Sequence, residues 1–202
     1  MSSFGDNLTD LLVVGAFPLA ILLAVYKFWN SGRICIPNPK LGLLNIGGDE
    51  FAAELNEDRK ALGAFFNDVI VGGEGQVPNC DVLFVYAKVA SNGSIANSTE
   101  PSLRHLAARA GSVVLVLASN NPSEHVVAAG KVPGPKQCSL VLTLDRNGEG
   151  FPRFFKEVFT LMKSGKTMPM AWIKTAPQHK SVMPQYTPET IFLPEGKFVV
   201  FK

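Results

Sequence analysis

The stretch Cys80–Glu124, CDVLFVYAKVASNGSIANSTEPSLRHLAARAGSVVLVLASNNPSE, decides the fold. It divides into an apolar run (Val82 to Val89), a polar loop carrying Gly93 (Ala90 to Thr99), an amphipathic segment (Pro101 to Ala110) and a second apolar run (Val113 to Ala118). Both runs are rich in β-branched residues and too short for helices, whereas the segment between them has helical spacing. This pattern predicts a βαβ unit with two buried parallel strands, and such sheets place ligands just past the carboxyl ends of their strands. Those ends read Lys88-Val89-Ala90-Ser91-Asn92-Gly93 and Ser119-Asn120-Asn121-Pro122-Ser123-Glu124.

Towards the C-terminus, Gly130 to Lys136 reads as a Gly/Pro loop and Ser139 to Leu144 as another buried strand, followed by a turn at Asp145-Arg146-Asn147-Gly148. Pro152 suits the first turn of a helix whose Phe155, Val158, Phe159 and Met162 share one face, with Gly165 as its stop. A shorter helical piece over Pro169–Thr175 is expected next. Glu189–Leu193 and Lys197–Phe201 read as strands of a closing hairpin. On the N-terminal side, Leu41–Ile46 predicts a strand. A helix from Phe51 to Val69 follows, with Leu55, Leu62, Phe66 and Val69 on its apolar face and Glu54, Glu57, Asp58, Arg59 and Lys60 largely opposite. Gly72, Gly73 and Gly75 form a turn without the spacing of a phosphate-binding loop. The expectation for 41–202 is an α/β domain with a Rossmann-like, mostly parallel sheet and helices on both faces.

Ahead of it, Leu11 to Tyr26 contains no charged residue, and Leu8, Phe28 and Trp29 extend the apolar run. Roughly twenty helical residues cross a hydrocarbon core. Residues 1–29 therefore predict a single transmembrane helix, with 30–40 as a linker. A signal peptide competes, but it would want positive charge before the run, where Asp6 and Asp10 stand. Lys27, Arg33 and Lys40 follow the run, which places the N-terminus outside and the large domain in the cytoplasm, on a bilayer such as a bacterial inner membrane. Ala16, Ala20 and Ala24 recur on one face and predict helix association into a homo-oligomer, with Pro18 as a kink.

The chain of 202 residues carries a formal net charge of +2 and no long block of one sign, so composition signals no surface for a DNA or RNA duplex. Three cysteines (Cys35, Cys80, Cys138) are too few for a disulfide framework or a zinc site, and nothing calls for a metal or cofactor. The sequence contains no GxSxG, Walker, HExxH or GxGxxG motif. His105 and His179 lack a partner at catalytic spacing. His125 follows the second strand near the expected site, and Asp49, Asp145 and Glu124 are acids that could gather at the sheet edge or cap helices.

Phe84 to Gly93, a strand entering a small-residue loop, resembles the caspase-like and CHAT peptidase pattern, and Val113 to Asn120 resembles the strand that delivers the catalytic Cys in that family. The resemblance spans most of 41–193. It implies a general-base His where Val89 stands and a nucleophilic Cys where Asn120 stands. Valine accepts no proton and an amide does not attack a carbonyl, so the resemblance implies a pseudoenzyme unless Cys138 and His125 form a displaced dyad. By architecture alone, a membrane helix before a Rossmann-like sensor is similar to the CARF-type membrane effectors of type III CRISPR defence, which bind cyclic oligoadenylate. The expected function is therefore a non-catalytic membrane-anchored sensor or interaction protein in defence or signalling. Lys88, Ser91, Asn92, Ser119, Asn120, Ser123 and His125 would contact a small-molecule or protein partner. The alternative is a degenerate hydrolase, or a scaffold that recruits a soluble partner.

Overall fold

Apolar runs of four to seven residues alternate with helices, as a parallel sheet requires. The computed structural model describes residues 32–73, 75–182 and 187–202. In chain order the elements are β1 (Arg33–Ile36), β2 (Lys40–Asn45), a 3-10 turn (Gly48–Phe51), α1 (Ala52–Gly63), β3 (Asp68–Gly72), β4 (Val82–Tyr86), α2 (Leu103–Ala110), β5 (Val114–Leu117), α3 (Ser123–Lys131), β6 (Ser139–Asp145), α4 (Gly150–Lys163), α5 (Met168–Val182), β7 (Glu189–Leu193) and β8 (Phe198–Phe201). Six strands form the central sheet in the order β3-β2-β4-β5-β6-β7, and β1 pairs with β8 apart from it. The pairings from β3 through β6 are parallel; only β7 is antiparallel to its neighbour.

Every residue of β4 and β5 is buried. Alternation sends Val82, Phe84, Tyr86, Val114 and Val116 to one face, beneath α1, α4 and α5, with Leu55, Leu62, Phe155 and Phe159 against them. Leu83, Val85, Leu115 and Leu117 go to the other, beneath α2 and α3, with Leu106 and Val126. The chain thus changes faces between β2 and β4, and the carboxyl ends of these strands flank a topological switch point. Aromatic rings fill the first face: Phe84 meets Phe155 edge to face at 5.1 Å, and Trp172 stacks on Phe192 of β7 at 5.2 Å. On the second face Arg104 of α2 donates to the Val132 and Gly130 carbonyls at 2.6 and 3.0 Å, at the end of α3, and forks onto Glu195 beyond β7. A cation there complements the negative end of the helix.

Several expectations change. Among the described residues no helix is long and apolar enough to cross a membrane. The longest, α4 and α5, have 14 and 15 residues, against the roughly twenty that a span needs. The expected transmembrane span Leu8–Trp29, with Ala16, Ala20 and Ala24, lies outside the described residues. The correction is an α/β fold without a demonstrated membrane helix, and the single-pass localisation that rested on that helix goes with it. The expected Phe51–Val69 helix stops at Gly63, and the β-branched run Asp68–Gly72 is instead the edge strand β3. Within the expected linker, Arg33–Ile36 is strand β1. Helix α3 (Ser123–Lys131) takes in the end of the expected Ser119–Glu124 loop and the start of the expected Gly130–Lys136 loop, and α5 runs past Thr175 to Val182. The expected hairpin is absent, since β7 pairs with β6 and β8 with β1.

Gly93 has φ +82°, and a Cβ there would lie 2.5 Å from the Ala128 carbonyl carbon in α3. The loop after β4 therefore lies directly on a helix backbone, which only glycine allows. Replacing Gly93 by Ala is expected to destabilise the fold by about 2 kcal/mol or more, from left-handed strain and the close approach together. Urea unfolding followed by circular dichroism measures this, and an unchanged midpoint would contradict the packing.

Candidate functional site

Parallel strands end with main-chain groups that need partners once the ladder stops. Past β4 and β5 several of those partners are side chains. Ser119, fully buried, accepts from the Ala87 N–H at 3.1 Å and donates to the Ala87 carbonyl at 2.7 Å. Asn121 accepts from the Val89 N–H at 2.7 Å and donates Nδ2 to the Ala87 carbonyl at 3.0 Å. His125, in the first turn of α3, donates Nδ1 to the Val89 carbonyl at 2.8 Å. One loop supplies the side chains and the other the backbone, so the two are stapled together. At the switch point the Ile46 and Gly47 N–H groups both reach the Tyr86 carbonyl, at 2.9 and 3.2 Å, and draw the loop after β2 over the end of β4.

Beneath the staple lies a buried charge pair. Arg146, directly after β6, donates Nη1 and Nη2 to the two Asp58 carboxylate oxygens at 2.9 and 3.0 Å and Nη1 to the Ala118 carbonyl at 2.6 Å. Its guanidinium lies over the Phe151 ring at 4.1 Å. The Tyr86 hydroxyl donates to Asp58 at 2.7 Å, and the Arg146 N–H donates to Asn120 Oδ1 at 2.9 Å. Burial pushes the Asp58 carboxyl up from its ordinary value, while Arg146 and Tyr86 pull it back. The donors converging on Asp58 fit the ionised, acceptor-only form. Burial, then the Asp58 charge, holds the Tyr86 phenol well above its ordinary value, so Tyr86 keeps its proton and acts as donor.

The residues expected to bind ligand separate into two groups. Ser119 and His125 are spent on the staple, and Asn120 commits its carbonyl oxygen to Arg146. Lys88, Ser91, Asn92 and Ser123 lie exposed at the same edge. Lys88 pairs with Glu50 at 2.7 Å, Asn92 accepts from the Ser94 N–H at 3.0 Å, and Ser123 donates to Glu124 at 3.3 Å. Val89, at the position the resemblance gives to a base, is buried, and Asn120, at the nucleophile position, is exposed. Cys138 immediately precedes β6, at the amino edge of the sheet, whereas His125 contacts the loop past the carboxyl end of β4. The two groups of the displaced dyad stand at opposite edges. His105 caps locally, its Nδ1 2.9 Å from Ser102 Oγ.

No protein-family model matches the chain, and no curated protein matches it. The site is therefore read from its own chemistry. Among the described residues no three His, Cys, Asp or Glu side chains gather as metal ligands. The arrangement holds the two loops together through side-chain-to-backbone hydrogen bonds.

Sequence reasoning missed Asn121, Asp58, Tyr86 and Arg146. Asp58 had a signal: it falls three residues after Leu55 and four before Leu62, in the apolar stripe of α1, where an acid must find a buried partner. Asn121 and Arg146 had none, because their partners are backbone groups and a residue 88 positions away.

Replacing Arg146 by Met strands the Asp58 charge and is expected to cost about 3–5 kcal/mol, with partial recovery when Asp58 becomes Leu in the same chain. Urea unfolding of the two single variants and the double variant tests the coupling; additive losses would refute it. Burial pushes the Cys80 and Cys138 thiols up to about 12 each, whereas Cys35 is exposed. Iodoacetamide at pH 8 should therefore label Cys35 alone in the native protein and all three thiols after unfolding, read by mass spectrometry.

Proposed function

We propose that this domain is a non-catalytic recognition module, of caspase-like and CHAT-like architecture without the dyad, that binds a phosphate-bearing ligand on the loops after β4 and β5. One observation carries the reading. The polar side chains that a hydrolase would turn toward its substrate, Ser119, Asn121 and His125, are turned inward onto the backbone of Ala87 and Val89. What is left at the surface is a rigid polar rim of Lys88, Ser91, Asn92, Asn120 and Ser123. The adjacency of β4 and β5, whose loops meet, supports the caspase-like part of the reading.

The phosphate part is supported by Lys88. The Lys88 and Glu50 side chains are 61% and 49% exposed, and such a surface pair is worth little. A phosphate oxygen can replace Glu50 at small cost, with the amide and hydroxyls of the rim as donors to the ribose and remaining oxygens. Cyclic oligoadenylate, the ligand of the CARF-type resemblance, supplies both chemistries and is the probe of choice. The alternative of a degenerate hydrolase needs a base beside a nucleophile.

Calorimetric titration with cyclic oligoadenylate and with AMP is expected to give saturable binding that weakens about tenfold or more in Lys88→Glu and strengthens on lowering ionic strength. Binding indifferent to Lys88→Glu would remove the loops as the site, and absence of binding by either probe would favour a protein partner there. Turnover of peptide substrates that disappears in His125→Ala would overturn the non-catalytic reading.

A further inference from the structure

Among the described residues, the connection from β3 to β4 contains no helix. It lies flat on the second face of the sheet, where Pro78 and Cys80 rest on Gly42 and the Gln76 carbonyl rests on Gly72. Each glycine lets a loop sit where a side chain would hold it off. Towards the carboxyl ends of β2 and β3 this thin cover leaves a cavity of about 180 Å³, walled on its far side by α2. Leu44, Ile46, Val77 and Leu106 give it an apolar floor. Among the described residues its polar wall includes the ion pair between Arg109 of α2 and Glu100, 2.9 Å apart, with a second Arg109 nitrogen donating to the Gly75 carbonyl at 3.3 Å.

We propose that this cavity binds a small zwitterion, an α-amino acid with an aliphatic side chain. Size comes first: pockets for drug-sized ligands run from roughly 300 to 1,000 Å³, and this one lies below that range, in the class of a single amino acid. Polarity comes second. One wall is aliphatic and the other presents a cation beside an anion, which matches an aliphatic side chain on a Cα that carries an ammonium and a carboxylate. The charge pattern then selects. A ligand dipole laid antiparallel to the Glu100–Arg109 pair satisfies both ends, its ammonium on Glu100 and its carboxylate on Arg109. A simple carboxylic acid meets Glu100 as a like charge, and a simple amine meets Arg109. Capacity remains for such a ligand. Among the described residues, Arg109 uses two of its five N–H donors and Glu100 one of its carboxylate oxygens. Ser98 and Thr99 on the rim add hydroxyls for the ligand carboxylate. The cavity is distinct from the Lys88 rim, so either site can fail without the other.

The test is calorimetric titration of the full chain with L-leucine, 4-methylpentanoate and 3-methylbutylamine, three probes of similar shape that differ in charge. Leucine is expected to bind saturably, and each singly charged analogue about tenfold more weakly or worse, the effect of one lost charge-assisted hydrogen bond. Arg109→Gln and Glu100→Gln should each weaken leucine by a similar factor, and Arg109→Leu should invert the preference toward the amine. The Arg109 side chain is 44% exposed and Glu100 20%, so the Arg109 variants should fold, the Glu100→Gln change is isosteric, and thermal melting verifies that each does. Absence of saturable leucine binding, equal affinity for an analogue, or indifference to both Gln variants would overturn the proposal.

Discussion

The bidentate pair between Asp58 and Arg146 is the constraint around which the carboxyl edge of this sheet is built. Asp58 has no exposed surface and Arg146 retains 4%. Taking two charges out of water costs several kcal/mol each, and their attraction repays this only when every lone pair and N–H is placed. Here the placement is shared across the fold. α1 contributes the carboxylate, β4 the Tyr86 hydroxyl, the residue after β5 the Ala118 carbonyl and the residue after β6 the guanidinium. An apolar substitute could fill that volume, but it could not specify which strand end meets which helix. The pair thus acts as a register pin where neighbouring strands finish at different heights.

Above it, the stapling of Ala87 and Val89 by Ser119, Asn121 and His125 follows from the same need. Parallel strands deliver unpaired carbonyls and amides to one edge, and the buried ones need partners, which the chain supplies from its own side chains. At this edge the backbone groups of Ala87 and Val89 are the ones so answered. The contrast with the β3–β4 crossover is informative. There the chain saves a helix, compresses onto two glycines, and leaves empty volume in place of a filled layer.

How much of this was legible follows from where each signal is stored. The β4-α2-β5 core could be read because β-branched runs buried on both faces are continuous in sequence. β3 was missed because Val69 continues the spacing of Leu55, Leu62 and Phe66, and one residue cannot say whether a stripe has become a strand. α3 was missed because only Val126 and Ala129 are buried in it, too few for a helical period. The closing strands were recognised, but their partners were not, since pairing to β6 and β1 is a property of topology. At the site, the polar residues of the strand-end loops were found and their direction was not. Ser119 and His125 look alike in sequence whether they face solvent or a peptide carbonyl.

The His125 contact has a consequence for proton chemistry. A carbonyl has no hydrogen to give, so the 2.8 Å contact to Val89 requires the proton on Nδ1. That tautomer is fixed by the backbone it touches. With the proton on Nδ1, the neutral ring carries its lone pair on Nε2, so the contact that anchors the imidazole also makes its far edge an acceptor. The backbone of one loop thereby sets the hydrogen-bonding sense of a ring that belongs to the helix after the other.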